Sequence, residues 1–275
     1  MDGCGAVPQV LLSGQEKYAL LCTDSVMVAN GQGNPMRQIA LLRRNAFTIA
    51  APIDSDVRTV ADLKGGSLGI TEGSGGEIGL VQIALENAGL DPRIKGNEDV
   101  DIKVVGAGGP GAYNALQSGD IDAYAAALND LAVMQPLGLE SRSIIPEELQ
   151  QLPSSGLTLM EDTLADERDR EVTIKLARGW VKGNEFAVEH PQEALAIVCE
   201  RAPEQCKDMD VARAYMKSVL QTIATVDGLE PGEQAPIEGY ETVEDALLAS
   251  GDLESEVDLE TIFTNDYLRE IDAGG

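Results

Sequence analysis

The chain of 275 residues contains one histidine, one tryptophan and three phenylalanines. With His190 as the single histidine and no C-x-x-C pair among Cys4, Cys22, Cys199 and Cys206, a zinc centre of Cys/His type is not expected. His190 stands before Pro191 in "VEHPQEAL", a place suited to capping or a turn, and no Ser/His/Asp set can be assembled around it. Long apolar runs are missing as well: none approaches the ~20 residues needed to cross a bilayer. Basic residues are scarce, 20 against 47 acidic, for a net charge of −27. So acidic a surface repels phosphate backbones and argues against nucleic acid as a partner, and it offers no basic patch to a membrane surface. The first residues lack a basic stretch followed by an apolar one, so no export signal is legible. Cys199 and Cys206 flank "ERAPEQ", where a local disulfide is sterically feasible. Two free thiols near a helix end fit the same spacing.

What is present is a hydrophobic content of 43%, enough for a substantial core and two lobes. The informative stretch is "GITEGSGGEIGLVQIALENAGL", Gly69 to Leu90. It is not a P-loop, because Glu77-Ile78 follows Gly75-Gly76 where Lys-Ser/Thr is required. It is not a dinucleotide fingerprint either, since the glycines fall at Gly73, Gly75 and Gly76. What remains is a strand ending at Thr71, an open Gly73-Ser74-Gly75-Gly76 loop and a helix N-terminus whose amides suit carboxylates, sulfonates or polar rings. A plain β–α turn capped by Ser74 is the alternative.

Two segments resemble each other at an offset of 105 residues, "GCGAVPQVLLSGQEKYALL" from Gly3 and "GGPGAYNALQSGDIDAYAA" from Gly108. The alignment puts Ser13-Gly14 on Ser118-Gly119 and Leu11 on Leu116. Each copy reads as a glycine-rich loop, a short helix, a Ser-Gly stop and an apolar strand. Around the second copy, strand 67–71, helix 77–88, strand 100–105, a helix from Pro110 and strand 121–127 give β–α–β–α–β, hence a parallel sheet. Ligands of such sheets sit beyond the carboxyl ends of the strands. Around the first copy, strand 18–22 leads to a loop Thr23-Asp24-Ser25, and strands 37–43 and 46–51 follow. Pro52 to Asp56 reads as a crossing between lobes, with a return near Ser154-Ser155. The expected division is therefore 1–54 with 151–275 as the first lobe and 55–150 as the second. Later segments read as helices, with Val172, Leu176 and Trp180 stacked one turn apart.

"SDVRTVADLKGGSLGITEGSGGEIGLVQIALENAGLDP" with "ALQSGDIDAYAAAL", and the closing "VDLETIFTNDYLREI", resemble the solute-binding proteins of ABC importers. The similarity is to the branch that handles nitrate, sulfonates, taurine and thiamine pyrimidine precursors. The resemblance implies an α/β type II periplasmic-binding-protein fold, two lobes around a ligand cleft, and a monomer that is not an enzyme and carries no metal or cofactor. It implies a membrane permease as partner and a periplasmic or lipid-anchored extracellular location. Carried over, it puts ligand contacts on Thr23, Asp24, Ser25, Thr71, Gly73, Ser74, Gly75, Gly76 and Asn129. Stacking on a heterocycle would use Tyr113, Tyr124 or Trp180. Family members begin with a strand and helix that have no counterpart here, so about 40 residues of the first lobe are expected to be absent on the repeat argument. An enzyme resembling the thiamine-pyrimidine synthases and a ligand-sensing module are the alternatives. The former carries a cysteine-rich motif and histidines that this sequence lacks.

Overall fold

A computed structural model describes residues 7–73, 75–223, 237–264, 266 and 267. In chain order the elements are α1 (Val7–Leu12), β1 (Ala19–Cys22), α2 (Thr23–Gly31), β2 (Met36–Arg44) and β3 (Phe47–Pro52). Then come β4 (Ser67–Ile70), α3 (Ile78–Asn87), β5 (Asp101–Val104), α4 (Pro110–Ser118), β6 (Ala123–Ala127), α5 (Leu128–Met134) and β7 (Ser141–Ser143). The remainder is β8 (Pro153–Met160), α6 (Glu161–Ala165), α7 (Glu167–Glu189), α8 (Pro191–Arg201), α9 (Met209–Ile223), α10 (Ile237–Ser250) and α11 (Leu259–Ile262).

The chain forms two compact units, one of residues 1–45, 151–191 and 222–275, the other of 46–150 and 192–221. The sequence reading placed strand 46–51 in the first lobe and the crossing at Pro52 to Asp56. Instead β3 pairs antiparallel with β6 and β7, so the chain passes between units at Asn45–Ala46. Likewise Ser154-Ser155, expected to be the return crossing, lies inside β8, where Ser155 pairs with Cys22. Both strands are largely buried, and it is their pairing with distant strands that sets which sheet each joins.

In the first unit β8 lies between β1 and β2, antiparallel to both. Helix α7 covers Ile39, Leu42, Leu157 and Leu159 of that sheet with Ile174, Ala177 and Val181. The expected stripe of Val172, Leu176 and Trp180 is not the buried one: Val172 and Leu176 are 42% and 38% exposed, and only Trp180 packs against the cluster. Residues four apart drift about 40° round a helix per step, whereas the i, i+3, i+7 set stays on one face. Asn184 continues the buried face, its Nδ2 donating to the Leu42 carbonyl at 3.4 Å.

The second unit holds a five-stranded sheet in the order β5-β4-β6-β3-β7. As the β–α–β–α–β reading requires, β5, β4 and β6 are parallel. Helix α3 is apolar on nearly every face and is buried from Gly79 to Leu85. It ends at Gly89, whose φ of +70 is a left-handed conformation that other residues avoid, with Leu90 N–H donating back to the Leu85 carbonyl at 2.9 Å. Helix α4 stops the same way at Gly119. The disulfide Cys199–Cys206, with Cα atoms 5.4 Å apart, ties α8 to the turn after it. Cys22 is also disulfide-bonded.

Candidate functional site

The internal repeat has a structural counterpart. Ser13 and Ser118 each donate a hydroxyl to the carbonyl three residues earlier, and Leu11 and Leu116 are both buried. The strands that follow run straight into helices. Cys22 (φ −69, ψ 143) caps α2, and Ala127, 105 positions later (φ −65, ψ 148), caps α5. Thr23-Asp24-Ser25, read from sequence as a loop, is therefore the first turn of α2 and the counterpart of Leu128-Asn129-Asp130. Both triplets stand at the carboxyl end of a strand, each on its own unit.

In the first unit, Thr23 is buried, its hydroxyl 3.5 Å from the Gln38 amide nitrogen. Asp24 Oδ1 accepts the Ser25 N–H at 2.6 Å and the Ser25 hydroxyl at 3.3 Å. Burial raises the Asp24 carboxyl to about 6 despite those donors, and the Asp252 charge adds to the rise.

In the second unit the glycine loop joins β4 to α3, and Ser74 of that loop lies outside the described residues. The sequence reading took the loop as open, with free donors at the helix start. Glu77, itself only 1% exposed, folds back to the end of β4 and makes no side-chain capping bond to α3. Glu77 Oε1 accepts the Thr71 N–H at 2.7 Å and the Thr71 hydroxyl. Thr71 is thus engaged by the chain's own carboxylate. Gly75 is buried where its missing Cβ leaves room for that carboxylate, and Gly73 is exposed.

Gly76 lies under the Phe47 ring: a Cβ there would meet Cζ at 2.6 Å. Phe47 starts β3 and pairs with Ala127, which brings it beside the start of α5. Next to half-buried Asn129 is the backbone contact of Asp130 with Gly108, where a Cβ would come within 2.6 Å of the Asp130 Cα. Gly106 and Gly109 of the same loop are glycine for a different reason, their φ angles of +86 and +136. Burial raises the Asp130 carboxyl above the usual range; the Gly108 N–H opposes this and the Glu77 charge adds to it. Below them Tyr124, fully buried, donates its hydroxyl to the Gly106 carbonyl at 2.9 Å. Burial, then the charges of Asp130 and Glu77, drive its phenol well above the ordinary value.

None of the three aromatics considered for stacking offers a ring here. Tyr124 is core, Tyr113 packs on the second unit's cluster, and Trp180 packs on the first unit's cluster. The aromatic at the glycine loop is Phe47, which sequence reasoning missed. Its signal was its place at the start of a strand that begins beside the loop. Glu77 was passed over as the residue that breaks a P-loop, and Asp130 as part of a strand-end loop. Among the described residues no group of His, Cys, Asp and Glu is arranged to hold a metal ion. Lys64 pairs with Asp99 at 3.2 Å, and His190 caps α7 and packs against Phe186, so neither belongs to the site.

The family profile described as NMT1/THI5 like matches residues 2–194. The chain belongs to the NMT1/THI5-like family. No curated protein sequence matches this NMT1/THI5-like chain. Its fold is that of solved periplasmic binding proteins. The aliphatic sulphonate binding protein SsuA from Escherichia coli superposes with a TM-score of 0.71 at 16% identity, covering 95% of this chain and 79% of that one. The alkanesulfonate-binding SsuA from Xanthomonas axonopodis pv. citri, bound to MOPS, gives 0.67 at 15%, covering 95% and 85%. The desulfurization enzyme DszB shares the fold more distantly, with a TM-score of 0.58 at 16% identity over 98% and 89%. The two-unit α/β expectation therefore holds, and no helix among the described residues is long and apolar enough to cross a membrane.

Proposed function

We propose that the chain is the solute-binding component of an ABC importer, and that it holds a small organic solute reversibly at the helix starts that end its strands. The observation that carries this is the second unit's glycine loop beyond the end of β4, where Glu77 packs on Gly75 and Phe47 on Gly76. We assign Thr71, Gly73, Gly75, Gly76 and Asn129 to this site, with Thr23, Asp24 and Ser25 as their counterpart on the first unit, and Ser74 joins them on the sequence alone. Sulfonates, taurine and thiamine pyrimidine precursors are the solute types suggested by the family resemblance. The proposed setting is a monomer in the periplasm, or tethered outside the cell by a lipid, that delivers to a membrane permease.

The likeness to DszB favours one competing reading, catalysis on the same fold. Against it, Cys22, Cys199 and Cys206 are all disulfide-bonded, which leaves no thiol nucleophile among the described residues. Calorimetry and thermal shift with a solute panel test the binding reading. At 100 times Kd a solute should stabilise the protein by about 2.7 kcal/mol. Mass spectrometry should return the bound solute unchanged, and a converted product would overturn the proposal in favour of an enzyme.

A further inference from the structure

Helix α7 has two apolar faces, and the first unit's sheet takes only one of them. Ile174, Ala177 and Val181 are buried against that sheet, whereas Val172, Leu176, Gly179, Gly183 and Phe186 are all exposed. Their spacing of 4, 3, 4 and 3 residues keeps them in one stripe along the helix, the pattern by which one helix seats on another. Val172, Leu176 and Phe186 leave 42%, 38% and 37% of their surface to water.

The two glycines in the middle of the stripe answer to nothing inside the protein. Each costs a helix interior about 1 kcal/mol relative to alanine. Neither has a positive φ, and a Cβ added at either would meet nothing within 4 Å. What glycines at this spacing permit is the close approach of a second backbone. A lipid surface gains nothing from that, so the pair points to a helix.

Charge narrows the partner. The stripe is bordered on one side by Arg168, Lys175 and Lys182, one every seven residues, in a chain with only 20 basic residues against 47 acidic. Glu171 and Glu189 lie a step further round the helix, and the exposed Lys175–Glu171 pair, at 2.7 Å, is of the weak, exchangeable kind. The other border holds Trp180, packed on the core, and Asp169, paired with Lys17 at 2.6 Å. A second copy of the chain would bring the same basic row and a further charge of −27.

We propose that the outer face of α7 docks an α-helix of another protein, one whose apolar stripe has the same spacing and is bordered by aspartate or glutamate. The face uses none of the residues assigned to the solute, and the inference stands apart from that reading.

The test is fluorescence anisotropy of two labelled helical peptides titrated with the full chain. Both carry leucine and alanine at 4–3 spacing; glutamate borders the stripe in one and lysine in the other. The glutamate peptide should bind, and the lysine peptide should bind at least about tenfold more weakly. Gly179→Gln with Gly183→Gln places long polar side chains from a good helix former in the gap. That variant should melt no lower than the unaltered protein, yet bind the glutamate peptide about ten- to a hundredfold more weakly. Lys175→Glu with Lys182→Glu should reverse the preference between the peptides. No binding of the glutamate peptide, equal binding of both, or binding untouched by the folded glycine variant would each overturn the inference. So would a dimer in sedimentation that the glycine variant dissolves, which would assign the face to a second copy.

Discussion

Replacing Asp24 by asparagine should stabilise the protein at neutral pH and leave it unchanged in acid. Asp24 begins α2 in a setting where burial outweighs two Ser25 donors and the nearby Asp252 charge adds repulsion. Raising a carboxyl from 3.8 to about 6 means that carrying the charge in the folded state costs roughly 3 kcal/mol. The sign follows from proton linkage: between these values the folded protein holds the proton and the unfolded chain does not. This group's contribution therefore declines as pH rises from about 4 to 6 and stays low above that. Asparagine keeps the Oδ1 acceptor for Ser25 and carries no charge. Asp24→Asn should match the unaltered protein at pH 4 and exceed it at pH 7.5 by up to about 3 kcal/mol, or about 5–10 °C in Tm. Denaturant melts of both proteins across pH 4–8 measure the gap directly. A gap of the same size at both ends, or a loss of stability at pH 7.5, would refute the burial argument.

Ile174→Ala should cost about 2–5 kcal/mol while Val172→Ala changes stability by less than about 0.5, which checks by denaturant melting which face of α7 is buried. Gly108→Ala drives a methyl into the Asp130 backbone, where nothing can rotate away, so it should destabilise by about 3 kcal/mol or more. Gly76→Ala meets only the Phe47 ring, and melts of the double substitution with Phe47→Ala should recover much of its loss. Thiol labelling of unfolded, unreduced protein should find Cys199 and Cys206 unreactive, and replacing both by alanine should cost about 2–3 kcal/mol in melts.

Local grammar carried much of the fold. The glycine stops at Gly14, Gly89 and Gly119, the apolar strands and the apolar α3 fall where the sequence places them. Strand membership did not follow, because β3 and β8 read alike and only pairing across a hundred residues decides their sheet. The glycine loop was legible as a position, and the bond that Glu77 makes to Thr71 was not. Donors at a strand end can be counted in sequence, but whether a neighbouring carboxylate turns back to take them depends on rotamer and burial. Glu77 shows this at a distance of six residues from Thr71. Phe47 shows it at longer range, since its contact with Gly76 needs the β3–β6 register to form first.

The interleaved connectivity of the two units bears on the order in which they fold. The five strands of the second unit fall within 47–143, so its sheet can close using neighbours that are near in sequence. The first unit's sheet joins Ala19 to Thr158 and cannot form until that whole stretch has been made. Loop closure over so long an interval is entropically expensive unless the intervening chain is already compact. The second unit is then the template whose collapse draws β1 and β8 together. In refolding, pulsed hydrogen exchange should protect amides of 67–70 and 123–127 before those of 19–22, and simultaneous protection would refute that sequence of events.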